Sequence, residues 1–418
     1  MHKKSLKKLV PHRYREFFKQ FILYKPVGER RSNIVSCDES LAQGINIIGI
    51  IRSGTGVGLQ CRLIAKALDA VNIPYCIIDL CDYLNIDKHN FSYEDKVTNE
   101  LIYNVNLIVL NADVINRALR ALDYNEMNKR YNAAYWAWEL SEFPDVWRRG
   151  FHSLNEIWVI SRFSADGIAK KSSVHVMPLP LYAGDISVNI KNGREYFKIK
   201  NDIFLFMAAY DCDSHVGRKN PQAAVQAFKK AFSPEDKHVG LVLKINKARE
   251  HRKHIKKLFN MLSGYSNIYY IDNFLTDEEM RTLTAVSDTF ISLHRAEGFG
   301  LIPIEAMILG TPVLSTAYSG NMDYMTDKNA VLVGYKLIPV KDKFIGSYLG
   351  KEYVWAEPDI DEAARHMKRL VSDTKWREEL IANGKTVKEL FNANVMGNTI
   401  RKRLEDIHLI QQEEKRNI

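Results

Sequence analysis

From Gly44 onward the chain alternates short Ile- and Val-rich apolar runs with stretches of helical periodicity. Gly44 to Ile51 reads as a strand, Leu59 to Val71 as a helix and Ile73 to Leu80 as a second strand. Asn106 to Leu110, Ala133 to Ala137 and Glu156 to Ile160 follow as strands, each trailed by a segment of helical character. Strands that stay apolar on consecutive positions are buried on both faces, and their alternation with helices predicts a parallel sheet covered on both sides. After Val174 to Leu181, which contains Pro178 and Pro180, a polar stretch through Asn192 and Gly193 breaks the pattern. It restarts at Ile203 to Ala209 and continues through Val239 to Lys244, Asn267 to Ile271, Thr289 to Leu293 and Pro312 to Ser315. The fold class is therefore α/β, with two doubly wound parallel-sheet domains in tandem. Their expected spans are 44–185 and 200–375, with 1–43 a separate N-terminal segment and 376–418 C-terminal helices.

Composition narrows the class. Across 418 residues the hydrophobic share is 46% and the charged share 26%, the balance of a globular chain with a sizeable core. Uncharged runs such as Phe204 to Tyr210 fall far short of the roughly 20 apolar residues needed to span a bilayer. The N-terminus shows no apolar run with a small-residue cleavage site, so no signal peptide is expected. Cys37, Cys61, Cys76, Cys81 and Cys212 are scattered and form no CxxC pair, which points to a reduced, cytoplasmic protein without structural zinc.

The charge of +9 is concentrated at one end, since Met1 to Arg31 holds ten Lys and Arg against Glu16 and Glu29. Val10, Tyr14, Phe17, Phe18, Phe21 and Ile22 recur there at helical spacing with Lys7, Lys8, Arg15 and Lys19 between them. A basic amphipathic helix of this kind can lie on an anionic membrane surface, or it can pack its aromatics on its own domain; both readings stay open. A nucleic-acid arm ranks lower because the rest of the chain is nearly neutral and continues no basic footprint.

In open parallel sheets ligands bind beyond the carboxyl ends of the strands, so chemistry is sought in those loops. The first strand is followed by RSGTGVG, Arg52 to Gly58, where Gly56 and Gly58 allow backbone N–H groups to approach a phosphate or sugar at a helix start. The spacing is GxGxG and misses the dinucleotide pattern by one residue, although Asp79 stands where a ribose-binding acid would. A merely tight turn explains the glycines nearly as well. The second motif is EGFGLIPIE, Glu297 to Glu305, after the strand ending near Leu293. Gly298 and Gly300 permit close approach, Pro303 suits a first helical turn, and Gly310 before Pro312 ends the helix. A diphosphate can sit on the N–H groups of Gly298, Phe299, Gly300 and Leu301, with Glu297 beside a sugar and Glu305 near ribose hydroxyls. Both glutamates also suit a helix start as ordinary charges.

Two glutamates with seven residues between them, the GFG insert and the trailing EAMILGTPVLSTAYSGNMDYM resemble the signature of retaining glycosyltransferases of family 4, which have the GT-B fold. Weaker resemblance runs over roughly Asn46 to Leu370, through WELSEFPDVWRRGFHSLNEIWVISRF, RKNPQAAVQAFKKAF and WAEPD. The resemblance implies two Rossmann-like domains facing across a cleft, the nucleotide-sugar donor held mostly by the second and a glycan or lipid-linked acceptor mostly by the first. It also implies that Arg218 and Lys219, with Lys244 on the next strand, neutralise the donor diphosphate without a metal. Arg218 departs from the family pattern, which separates the arginine from the lysine by several residues. Asp211 and Asp213 form a DxD of the type used by metal-dependent GT-A enzymes, a chance match on this fold. Where many family members carry a histidine, this chain has Glu139 after two tryptophans, read as a sugar contact or, slightly preferred, a structural acid. His294 and Arg295 are further cleft candidates. The expectation is a retaining, cofactor-free hexosyltransferase with a nucleoside-diphosphate sugar as substrate. An inactive GT-B binding subunit and, more distantly, an NAD-dependent oxidoreductase are the alternatives.

Overall fold

The computed structural model describes residues 40–416 except 185, 187, 189–192, 213 and 341–352. Met1 to Asn33 and onward to residue 39, the basic amphipathic segment, and Asp213 of the DxD lie outside the described residues. The chain divides into two compact units. Of the described residues, the first takes those up to Trp138, Glu142–Pro180 and those from Ala393; the second takes Glu139–Ser141 and Leu181–Asn392.

The first unit holds β1 (Ala42–Gly49), α1 (Gly56–Ala70), β2 (Tyr75–Asp79), β3 (Tyr103–Val109), β4 (Tyr131–Trp136), β5 (Glu156–Val159), α2 (Arg162–Ala169) and β6 (His175–Pro178). Its six strands are all parallel, in the order β2-β1-β3-β4-β5-β6. The central strands β3, β4 and β5 are buried almost throughout, the two-faced burial that their unbroken apolar runs require.

In the second unit β7 (Phe204–Asp211) is followed by α3 (Val216–Lys219) and α4 (Pro221–Ala231), then β8 (Val239–Asn246), α5 (Arg252–Leu262), β9 (Ile268–Ile271) and α6 (Asp277–Ala285). The chain continues with β10 (Thr289–Ser292), α7 (Leu301–Leu309), β11 (Val313–Thr316) and β12 (Val331–Val333). Here the order is β12-β11-β10-β7-β8-β9, again parallel. Read from the other edge this is the doubly wound order in which strand direction of travel reverses between the first and fourth strands. That reversal falls between β7 and β10. Phe206, Leu241, Leu243, Val225, Phe228 and Leu314 fill the core where α4 covers the sheet.

Two features differ from the sequence reading. An antiparallel pair, β13 (Tyr335–Pro339) and β14 (Val354–Pro358), was not anticipated, because its burial is uneven and no apolar run marks it. The segment 376–418 is also not one block. Helix α8 (Ile360–Ser372) and α9 (Thr374–Lys385) belong to the second unit, whereas α10 (Ala393–Arg416) returns to the first. There Gly397 lets α10 approach α1 so closely that a Cβ would stand 2.3 Å from the Ala67 carbonyl oxygen. Arg403 pairs with Glu156, a carboxylate with no exposure that also accepts from Trp158 Nε1 at 2.6 Å. Among the described residues no helix is long and apolar enough to cross a membrane.

Candidate active site

The site forms where the carboxyl ends of β7 and β10 diverge. After β7 the chain passes His215 in the left-handed region (φ +54°), makes the single turn α3, and passes Asn220 (φ +51°) before Pro221 opens α4. Proline at a first helical position loses no hydrogen bond and fixes φ. Arg218 and Lys219 thus sit at the end of α3. Asn220 Nδ2 donates to the Leu293 carbonyl at 3.1 Å, and the Arg295 N–H donates to the Arg218 carbonyl at 2.8 Å. The loops after β7 and β10 are therefore laced together by one backbone and one side-chain hydrogen bond.

Glu297 is the centre of the cluster. Its side chain is 9% exposed; Lys219 Nζ reaches one oxygen at 2.5 Å and Arg218 Nη1 the other at 3.2 Å. Arg218 Nη1 also donates to the Ala296 carbonyl at 2.9 Å, and Nη2 lies 3.4 Å from Glu139 Oε1. Burial alone would push the Glu297 carboxyl up, but Lys219 and Arg218 outweigh it and hold it at about 2. The acid is ionised at every physiological pH. Its backbone is held as firmly: the Glu297 N–H donates to Ser319 Oγ at 2.8 Å, and its carbonyl accepts from the Gly320 N–H at 2.9 Å.

Glu297 leads into α7. Gly300 adopts φ +92° at the N-cap, Gly310 adopts φ +86° at the C-cap, and Tyr324 donates its hydroxyl to the Gly300 carbonyl at 2.7 Å. The helix ends where its glycines and Pro312 predict. The first ladder bond belongs to Ile304, which donates to Gly300, and Pro303 has no N–H, so the N–H groups of Leu301 and Ile302 precede the ladder. Glu305 is half-buried one turn on, and burial raises its carboxyl to about 7, with Arg281 pulling it down and Asp277 pushing it up.

The other sequence-derived residues fall elsewhere or act differently. Phe299 is 2% exposed, with ring centroids 5.2 Å from Tyr324 and 5.8 Å from Phe391, so its side chain is core. Lys244 is 2% exposed inside β8, its ammonium on Asn246; burial lowers its pKa and Asp211 and Asp272 oppose that. It takes no part in the Glu297 cluster. Glu139, read as a sugar contact or a structural acid beside two packed tryptophans, lies on Arg218; the tryptophans are packed, Trp138 edge-on against Trp147 at 5.0 Å and Trp136 stacked on Phe143 at 5.8 Å. His294 is 1% exposed with Nε2 3.4 Å from Ser315 Oγ; burial holds it neutral, at about 4.

Gly56 and Gly58 lie in the first unit at the start of α1. Thr55 caps that helix, accepting from the Gly58 N–H, and a Cβ on Gly58 would meet the Ser53 carbonyl oxygen at 2.3 Å. Gly58 is thus required by packing, whereas a Cβ on Gly56 would meet nothing within 4 Å. Asp79, the candidate ribose acid, has its carboxylate on Arg52 at 3.1 Å, and Arg52 also bonds Glu94 at 2.6 Å. The other Asp79 oxygen has no hydrogen-bond partner but is buried, and the side chain is only 2% exposed, so the carboxylate is not presented to a ribose as the dinucleotide reading requires. Sequence reasoning did not single out Ser319, Gly320, Tyr324 or Glu357, although the first three stand in the quoted TAYSGNMDYM run and the last in WAEPD. Among the described residues no group of three or more His, Cys, Asp or Glu is placed to hold a metal ion.

Residues 213–387 match the family model described as Glycosyl transferases group 1. No curated protein matches the chain. Among solved structures, HepE from Anabaena in complex with UDP-glucose is similar at a TM-score of 0.63 and 13% identity, over 87% of this chain and 100% of that one. A glycosyltransferase from Rickettsia africae ESF-5 matches at 0.63 and 12%, over 88% and 99%. Sucrose-phosphate synthase from Thermosynechococcus elongatus matches at 0.59 and 14%, over 88% and 100%. At such identities the likeness establishes the fold.

Proposed function

We propose that this chain, whose residues 213–387 match the glycosyl transferases group 1 model and whose fold is that of GT-B enzymes, moves a hexose-type sugar from a nucleoside diphosphate to a glycan or lipid-linked acceptor. The transfer retains anomeric configuration and serves a cell-surface polysaccharide or glycolipid. The observation that supports this most is the meeting of Arg218, Lys219 and the start of α7 around the ionised Glu297, at the reversal point of the second sheet. HepE, similar in fold, is described in complex with UDP-glucose, which agrees with a nucleotide-sugar donor.

In this reading Lys219 neutralises the departing diphosphate, and the N–H groups of Leu301 and Ile302, with those of Gly298 to Gly300, receive its oxygens. Glu297 orients sugar hydroxyls and offsets positive charge growing at the anomeric carbon. Glu305 accepts from the ribose hydroxyls. As the bond from the anomeric carbon to the diphosphate breaks and the bond to the acceptor oxygen forms, the departing phosphate takes the acceptor's proton. No side chain is assigned as general base. The protein works without a cofactor or metal in the cytoplasm, on the inner membrane face, where the basic segment before residue 44 meets anionic lipid. A panel of GDP-, UDP- and ADP-sugars, read by thermal stabilisation and donor hydrolysis, tests the reading. One donor is expected to stabilise the protein and be hydrolysed; a panel without response overturns it.

A further inference from the structure

Arg218 is committed before any ligand arrives. One terminal nitrogen donates to the Ala296 carbonyl and to Glu297, and the other meets Glu139. Its side chain is 7% exposed, against 26% for Lys219. The remaining nitrogen, Nε, has no partner but is buried, so it offers a ligand no surface. Its backbone is fixed as well, because the Arg218 carbonyl accepts from the Arg295 N–H. A planar guanidinium holding one carboxylate on each terminal nitrogen sets the spacing between those carboxylates, which a lysine cannot do.

We infer that Arg218 is a positioning residue rather than a diphosphate ligand: it brackets Glu297 and Glu139 on one guanidinium, and leaves Lys219 as the basic side chain that reaches the donor phosphates. Glu139, 33% exposed, then presents its outer oxygen to the substrate beside Glu297. The charges agree with this division. While Lys219 holds Glu297 the two cations and two carboxylates balance; once Lys219 turns to the phosphate, Arg218 alone faces both carboxylates, an environment that suits sugar hydroxyls. Lys219 exchanges its bond to Glu297 for the phosphate when the donor binds. The inference rests on the donor reading above.

Free GDP, UDP and ADP are the probes, titrated calorimetrically into wild type, Lys219→Ala, Arg218→Lys and Glu139→Gln, with folding checked by melting curves. Turnover is measured with the corresponding sugar nucleotide. Lys219→Ala is expected to weaken the bound diphosphate at least about tenfold, while Arg218→Lys and Glu139→Gln stay within about threefold of wild type but lose about tenfold or more in kcat. A kcat loss without an affinity loss is a signature that simple destabilisation does not give. If Arg218→Lys loses affinity as Lys219→Ala does, the inference fails and the donor reading stands. If none of the three nucleotides binds wild type, both fail. Should Arg218→Lys not fold, Glu139→Gln decides: unchanged kcat overturns the bracket.

Discussion

Arg295 and Glu357 form a two-pronged ion pair, Nη2 to Oε1 at 3.0 Å with Nε on Oε2, that ties β14 to the loop after β10. The same guanidinium donates to the Gly217 carbonyl at 2.6 Å, and the Arg295 carbonyl accepts from the Ala356 N–H at 3.0 Å. Arg295 is therefore the knot between three segments, one of which carries Arg218 and Lys219. Arg295→Ala is expected to cost roughly 1–3 kcal/mol, because it strands the Gly217 carbonyl and the glutamate together. Glu357→Gln, at a carboxylate one-third exposed, should cost under about 1 kcal/mol. Urea denaturation of both single variants and the double variant measures the coupling; additive losses would show that the pair is not the tie described.

Glu305 gives a pH signature of opposite sign to most carboxylates. Burial raises its folded-state pKa from 4.5 to about 7, so between those values the folded protein binds more proton than the unfolded chain. Stability attributable to this group then falls as pH rises from 4.5, and the loss is complete above about 7. Glu305→Gln removes that cost. Its melting temperature should exceed wild type at pH 8 and match it near pH 4.5. Equal shifts at both pH values would refute the assignment. Nucleoside-diphosphate affinity should fall in the same variant.

Gly320 is required by the backbone of the site. A Cβ there would lie 1.9 Å from the Gly298 carbonyl oxygen and 2.9 Å from the Phe299 nitrogen, both backbone atoms that cannot rotate away. Gly320→Ala should cost roughly 3 kcal/mol or more and displace the Glu297 to Gly300 turn, so that donor turnover falls with stability. Gly56→Ala is the control, since a Cβ there meets nothing within 4 Å. It should change stability by no more than about 0.5 kcal/mol. Denaturant midpoints of the two variants test the contrast.

Much of this was legible in the chain because the forces involved act locally. Continuous apolar runs reported strands buried on both faces, and most of the described strands lie within a few residues of where the pattern put them. Gly300, Pro303 and Gly310 reported the ends of α7 because each carries a backbone preference of its own. Partnership across the sheet was not legible. Nothing near Asp79 announces that Arg52 pairs with it, and nothing near Glu357 names Arg295, since both pairings depend on which segments the fold brings together. The return of α10 to the first unit is another such case: Gly397 and Arg403 read as ordinary helix residues until α1 and β5 lie against them.

Glu297 itself links catalysis to acid stability. Held at about 2 by Lys219 and Arg218 against a value of 4.5 in the unfolded chain, it binds less proton folded than unfolded. Its contribution to stability is therefore full above about 4.5 and is lost as pH falls toward 2. Glu297→Gln keeps the shape of the side chain and removes the charge. Arg218 keeps Glu139 and the Ala296 carbonyl, and Lys219, one-quarter exposed, can turn to water, so the variant should fold. Its stability should fall below wild type at pH 7, and the gap should narrow as the pH drops to 3. Turnover should fall by about a thousandfold or more at every pH, because no protonation restores the missing charge. Urea midpoints and donor hydrolysis across pH 3 to 8 separate the two effects. A variant that retained turnover, or a stability gap independent of pH, would show that the ionised carboxylate does not hold the role given to it.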